Sequence, residues 1–152
     1  MASTESNPEI DANAAANAWE EALIADLREN NGRPSSGPLA GQPLLVLWTT
    51  GAKTGKQRRS ILTYSRDGDD YVVTGSKSGA PTHPAWYYNV QENPDVTVEI
   101  GAETFAARAI VAEGAERDRL WAHHVQQLPR FGEYPAQTGG RVIPAIRLRR
   151  AG

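Results

Sequence analysis

Two clusters in this sequence place chemistry-bearing side chains at spacings that could serve a ligand. The first is Thr49-Thr50-Gly51-Ala52-Lys53-Thr54-Gly55-Lys56-Gln57-Arg58-Arg59. Gly51 and Gly55 permit a tight turn that exposes backbone N–H groups, while Lys53, Lys56, Arg58 and Arg59 add charge and forked donors that suit phosphate. The segment is not a nucleotide-triphosphate loop. That motif needs four residues between its glycines and a Ser or Thr after the lysine, whereas here three intervene and Gln57 follows. The glycine-rich dinucleotide fingerprint is also missing. A solvated basic hairpin without a ligand is the plain alternative.

The second cluster runs Gly75-Ser76-Lys77-Ser78-Gly79-Ala80-Pro81-Thr82-His83-Pro84-Ala85-Trp86-Tyr87-Tyr88-Asn89. A strand ends, a loop rich in glycine and serine follows, and a helix begins. Free N–H groups at the helix start, together with Lys77, could receive a ring carbonyl or an anion. Trp86, Tyr87, Tyr88 and Asn89 lie about 100° apart in a helix, so they cannot all face one core, and at least one is expected to face a cavity or partner. Ordinary packing is expected for most of the aromatics. No metal site is expected: His83 stands alone, and the neighbours His123 and His124 diverge on a helix. No nucleophile motif or catalytic triad is present.

The elements that must position these clusters are mostly strands. The apolar run Leu44–Thr50 has the length and residue types of a buried strand. Further strands are expected at about Arg58 to Ser65, Tyr71 to Gly75, Val96 to Ile100, Thr104 to Val111 and Val142 to Leu148, separated by turns such as Arg66-Asp67-Gly68-Asp69. Two helices interrupt them, Pro84 to about Glu92 and Ala115 to Gln127, each stopped by a following proline. An earlier helix, capped by Asp11, runs to about Asn30 with Trp19, Leu23 and Leu27 on one face. The fold class is therefore α+β or mainly β, an antiparallel barrel of about six strands with peripheral helices. Residues 1–35 divide into a disordered start and the N-terminal helix, and residues 36–152 form one barrel domain.

With 152 residues the chain can bury a core without covalent staples, and with no cysteine it has none. No segment resembles a membrane span or a signal peptide, and a cytoplasmic protein is expected. The formal net charge of −2 hides a division. Up to Asn31 there are seven acids against one base; beyond it, 15 basic residues face 11 acidic ones. The stretch from Gly32 to Ser65 holds five basic residues and no acid, a positive field that invites an anion. Nucleic acid is not expected, because interleaved aromatics and a wider basic surface are lacking.

Together the clusters read T-T-G-x-K-[ST]-G-x-x-R, [ST]-K-x-G, H-P-x-W-Y-x-N and N-P-x-V-x-V, here Thr49 to Arg58, Ser76 to Gly79, His83 to Asn89 and Asn93 to Val98. This order resembles the deazaflavin-dependent nitroreductase family over about Leu44 to Leu148. The resemblance implies a split β-barrel, like that of FMN-binding oxidases, holding coenzyme F-420. It places Lys53, Thr54, Gly55, Lys56, Arg58 and Arg59 along the anionic arm. Ser76, Lys77, Gly79, Pro84, Ala85, Trp86 and Asn89 would border the deazaflavin ring. The implied reaction is hydride transfer to a small electron-poor acceptor: a quinone, an activated enone or a nitroaromatic. Tyr64, Tyr134 and Lys77 are the candidate proton donors. Nitro-reducing relatives carry several tyrosines after the second long helix, where Gln127 to Tyr134 keeps one, so quinones and enones are expected ahead of bulky nitro-imidazoles. Arg130 and Phe131 are candidates for closing the pocket instead.

Three rivals remain at this point: an FMN-binding split-barrel oxidoreductase, a non-catalytic F-420 carrier, and a partner- or membrane-surface module acting through the N-terminal helix. The abundance of basic side chains favours the longer anionic tail of F-420 over FMN. Peripheral membrane contact through that helix, and a monomer or a homodimer, are both left open by the sequence.

Overall fold

The apolar run Leu44–Thr50 is strand β1, and it is buried on both faces. Leu45 and Leu47 point into the barrel interior, while Leu44 and Val46 pack beneath the N-terminal helix against Ile24 and Leu27. A strand covered on both sides has no polar face to alternate, which is why the run is continuous. The computed structural model describes residues 8–151, and side chains from residue 17 onward. Helix α1 spans Pro8–Glu29. It begins three residues before Asp11, so Asp11 lies inside it and is not its cap; the polar start over residues 1–7 lies outside the described residues. Trp19 is also not on the docked face. It is 61% exposed, because the buried ridge is the i, i+3 pair Ile24 and Leu27, one turn further on.

The remaining strands are β2 (Gln57–Thr63), β3 (Ser65–Asp67), β4 (Asp70–Thr74), β5 (Asp95–Ile100), β6 (Glu103–Val111) and β7 (Ala145–Arg150). Helix α2 covers Ala85–Glu92 and α3 covers Gly114–Gln127, with 3-10 turns at Lys77–Gly79 and Pro129–Gln137. All strand pairs are antiparallel, in the order β2-β1-β5-β6-β7-β4-β3. Strand β6 shows the alternation of a half-buried strand, with Phe105, Ala107 and Ala109 inward. Helix α3 covers the outer face of β4 and β7 through Leu120, packed on Val72 and Ala145.

Seven strands stand where six were expected, because the run Arg58 to Ser65 is divided at Tyr64. The division explains the architecture. β2 and β3 are separated by one residue yet stand at opposite ends of the strand order, so the sheet curls around until its two ends meet at Tyr64. Before the bend the chain pairs with β1; after it, with β4. From Tyr64 outward, β2 and β4 diverge with no ladder between them, and the barrel is parted along that line. Among the described residues no helix is long and apolar enough to cross a membrane.

Candidate functional site

Two recesses are lined by consecutive halves of β2. The outer one, a groove of about 910 Å³, lies between the β1–β2 hairpin and α2 and is lined by Gly51 to Thr54, Arg58 to Ser60, Ala85, Tyr88, Asn89, Gln91 and Glu92. The inner one, about 170 Å³, is lined by Ile61, Leu62 and Thr63 of β2, by Thr74, Ser76, Lys77 and Ser78 across the parting, and by Arg130, Phe131 and Tyr134 of the 3-10 run. From Arg58 to Thr63 is roughly 17 Å at strand rise, the scale of an elongated ligand.

The hairpin loop is shaped by its glycines. Gly55 has φ +69°, and a Cβ on Gly51 would lie 2.7 Å from Thr54 Oγ1. The loop is closed by Gly51 N–H donating to the Lys56 carbonyl at 2.8 Å. It is fastened to α2 by Asn89, whose Nδ2 donates to Thr49 Oγ1 at 3.1 Å and whose Oδ1 accepts from Ala52 N–H at 2.9 Å. Asn89 thus lines the groove with both ends of its amide already engaged, and its first task is to hold the loop.

Lys53 and Arg58 stand exposed on the groove wall, and no described residue pairs with either. Thr54 joins them there, while Gly55 and Lys56 form the exposed tip beyond the wall. Arg59 lines the groove too, but its guanidinium reaches back to α1, with Nε 3.2 Å from Glu20 and Nη1 against Glu21. Those carboxylates hold its pKa above the usual arginine value, despite some burial.

Across the parting, Ser76 is buried with its hydroxyl 2.7 Å from Thr74 Oγ1, and Lys77 is exposed, donating to Thr82 Oγ1 at 3.1 Å. Gly79 is buried against Gln137, and Pro84 is buried at the head of α2. Trp86 differs from expectation. It is 6% exposed and packs with Val90 in the barrel core, so it borders neither recess; Ala85 and Tyr88, on the opposite side of α2, face the groove instead. Four successive helical positions have diverged as their 100° spacing requires.

The proton-donor candidates also separate. Tyr134 lines the inner recess with its ring edge-on to Phe131 at 5.2 Å. Tyr64 does not: at the bend its side chain turns to the barrel interior, edge-on to Tyr71 at 5.4 Å, and burial raises its phenol pKa, making it a weaker acid. Arg130 donates to Thr63 Oγ1 at 3.0 Å and lies over Phe131, bridging the parting.

One residue of the site carried no signal in the sequence. Arg141, well beyond both motifs, directs its guanidinium onto the Gly75–Ala80 loop and His83. His83 accepts from it through Nδ1, and burial first, then Arg141, lowers the histidine's pKa.

A curled antiparallel barrel, parted along one seam and fronted by exposed cations, is of the split-barrel class. The donor set is of a kind that would suit F-420: Lys53 and Arg58 on an open wall could hold an anionic arm, and the inner recess combines Phe131 and Tyr134 with hydroxyl and cationic side chains. Comparison with known proteins then gives the family. The family model for F420H(2)-dependent quinone reductase matches residues 20–149. An F420H(2)-dependent quinone reductase of Mycobacterium tuberculosis is 39% identical over 126 residues, covering 81% of this chain and 84% of that protein. A solved structure described as an F420-H2 dependent reductase (FDR-A) is 37% identical, with a TM-score of 0.64 over 70% of this chain and 94% of its own. Another, described as a domain-swapped dimer, is 30% identical with a TM-score of 0.66, covering 91% and 99%. The chain belongs to the F420H(2)-dependent quinone reductase family.

Proposed function

We propose that the chain binds F-420 along the parting of its barrel, arm outward and ring inward, and reduces small quinones at the inner recess. The observation that carries this reading is the shared wall: one strand, β2, lines both the cationic groove and the aromatic recess. When bound in reduced form, F-420 supplies a hydride, and with one proton this converts a quinone to its hydroquinone.

The chain's own residues do the rest. Lys53, Thr54 and Arg58 hold the arm, with Lys56 adding field from the loop tip and Arg59 contributing in part, since Glu20 and Glu21 share its charge. Asn89 keeps the loop in place, and Ala85 offers a flat surface beside it. Ser76 and Lys77, with Ser78, form the wall of the ring end, and Gly79 backs them against Gln137. Phe131 and Arg130 cover the recess and exclude water, which strengthens polar contacts within it. Tyr134 is placed to give the proton to the reduced acceptor, and Lys77, on the rim, supports the developing oxyanion. The small recess, about 170 Å³, suits small quinones and activated enones better than bulky nitro-imidazoles.

The cofactor unit is residues 36–152, with α1 as its docked acidic neighbour. On the likeness to the domain-swapped dimer a homodimer is the assembly we favour. The decisive experiment combines tryptophan-fluorescence titration of F-420 and FMN with stopped-flow bleaching of reduced F-420 by a panel of quinones, enones and nitroaromatics. Tight F-420 binding, weaker FMN binding and fastest turnover with quinones are expected. Equal affinity for the two flavin types would overturn the assignment. Binding without reduction of any acceptor would make the chain a carrier.

A further inference from the structure

The loop Gly75–Ala80 is held in an unusual shape. Lys77 and Ser78, adjacent and neither of them glycine, adopt left-handed conformations with φ +45° and +52°. L-residues occupy that region only where surrounding contacts enforce it. The enforcing contact is Arg141. Its Nη1 donates to the Gly75 carbonyl at 2.8 Å and lies 3.0 Å from His83 Nδ1. Its Nη2 donates to the Ser76 carbonyl at 3.0 Å and the Ala80 carbonyl at 2.8 Å, and its Nε to the same Ala80 oxygen at 3.1 Å. These acceptors bracket the two left-handed residues on both sides. The main chain of Arg141 is itself anchored, its carbonyl accepting from the buried Thr138 hydroxyl at 2.9 Å.

No described carboxylate pairs with Arg141, so its fixed, planar fork is spent on neutral backbone carbonyls and one imidazole. Only a guanidinium can serve this many acceptors in one plane; an ammonium is a point donor. We propose that Arg141 is a positioning residue for hydride transfer: it fixes the Ser76–Gly79 loop in the shape that forms the ring-side wall of the cofactor site. This rests on the reading of that loop as ring-facing. His83 acts as the lower half of the same clamp through its Nδ1 lone pair, which gives the histidine of the H-P pair a task without any metal or catalytic role.

Two measurements on Arg141→Ala, in the whole protein, separate the clamp from the cofactor assignment. The first needs no cofactor: hydrogen exchange at the Gly79 and Ala80 amides, which close the turn onto the Ser76 and Lys77 carbonyls at 2.9 and 3.0 Å. Exchange there is expected to rise by about tenfold or more, with the β5–β6 amides unchanged. The second compares F-420 with a deazaflavin head lacking phosphate and glutamates. The arm contacts are intact in R141A, so its loss lies at the head, and the two ligands are expected to lose affinity by about the same factor. Affinity for the bare head falls by about tenfold, and single-turnover reduction of a quinone slows about 10- to 100-fold. Added guanidinium ion restores part of the rate, and Arg141→Lys restores little.

Unchanged loop exchange in folded R141A overturns the clamp. A loosened loop with unaltered head affinity and rate overturns the positioning role. Should R141A not fold, R141K carries the same comparison, since it keeps the charge but cannot span the acceptors. If wild type fails to bind F-420 while R141A still loosens the loop, the proposed function fails and the clamp stands.

Discussion

His124 has no accessible surface. Its Nδ1 lies 2.7 Å from Ser65 Oγ, its Nε2 has no partner, and Phe131 meets its ring edge-on at 4.5 Å. Burial, with smaller contributions from Arg130 and His123, lowers its pKa to about 4. The unfolded chain therefore takes up the proton first, near pH 6.5. The stabilisation is complete above that pH and is lost as pH falls from 6.5 toward 4, by about 3 kcal/mol in all. His83, also lowered, adds in the same direction. The carboxylates held low by arginines act only further down: Glu116, shifted to about 2 chiefly by Arg119 and Arg147, protonates unfolded near 4.5. Urea midpoints measured between pH 7 and 4.5 are expected to fall steeply for wild type and much less for His124→Phe; parallel curves would remove His124 from the account. The tyrosines give a second comparison at this scale. Tyr134→Phe is expected to slow quinone reduction by about tenfold or more in stopped flow, and Tyr64→Phe to leave it within about twofold, because only the first phenol reaches the recess. The reverse ranking would return Tyr64 to the site. The sequence named both tyrosines but could not rank them, since which way a side chain turns at a strand bend depends on what the strand next pairs with.

At the scale of elements, α1 docks by charge as well as by Ile24 and Leu27. Arg28 reaches Glu99 at 2.8 Å, Trp48 Nε1 donates to the same carboxylate at 2.7 Å, and Glu20 and Glu21 hold Arg59. The acidic helix thus partly neutralises the basic hairpin. Replacing Glu20 and Glu21 by glutamine is expected to tighten F-420 binding about two- to fivefold at low ionic strength, with the gain shrinking in salt. No change, read by fluorescence titration, would mean that Arg59 takes no part in binding. Most elements were legible in the sequence. The continuous apolar run marked β1, turn signals marked out the later strands, and prolines marked the ends of α2 and α3. The 3-10 run Pro129–Gln137 was not, because it is short, holds Pro135 within it, and rests on α3 and the Lys77–Gly79 turn. Arg141 escaped for a related reason: its acceptors lie 58 to 66 positions away and are mostly main-chain carbonyls, which leave no mark on residue types.

Across the whole molecule the charge division read from the sequence survives folding. Acidic α1 lies on one side of the hairpin, and the cations Lys53 and Arg58 are left open on the other. Changing both to alanine is expected to weaken F-420 binding by about tenfold or more in low salt, and progressively less as salt rises. A salt-independent loss would point to shape rather than charge. The resemblance carried by the two motifs led us to expect hairpin and loop at one site; in the structure each lines its own recess, and β2 lines both. At Tyr64 the chain leaves one partner strand and takes another, and beyond it no inter-strand bonding ties the two lips of the opening. What crosses the opening is a side chain, Arg130 on Thr63, while β2 stays laddered to β1 along its whole length. A broader guest would have to displace that one guanidinium and no rung of any ladder, so the seam is latched from the 3-10 run and not sealed by the main chain.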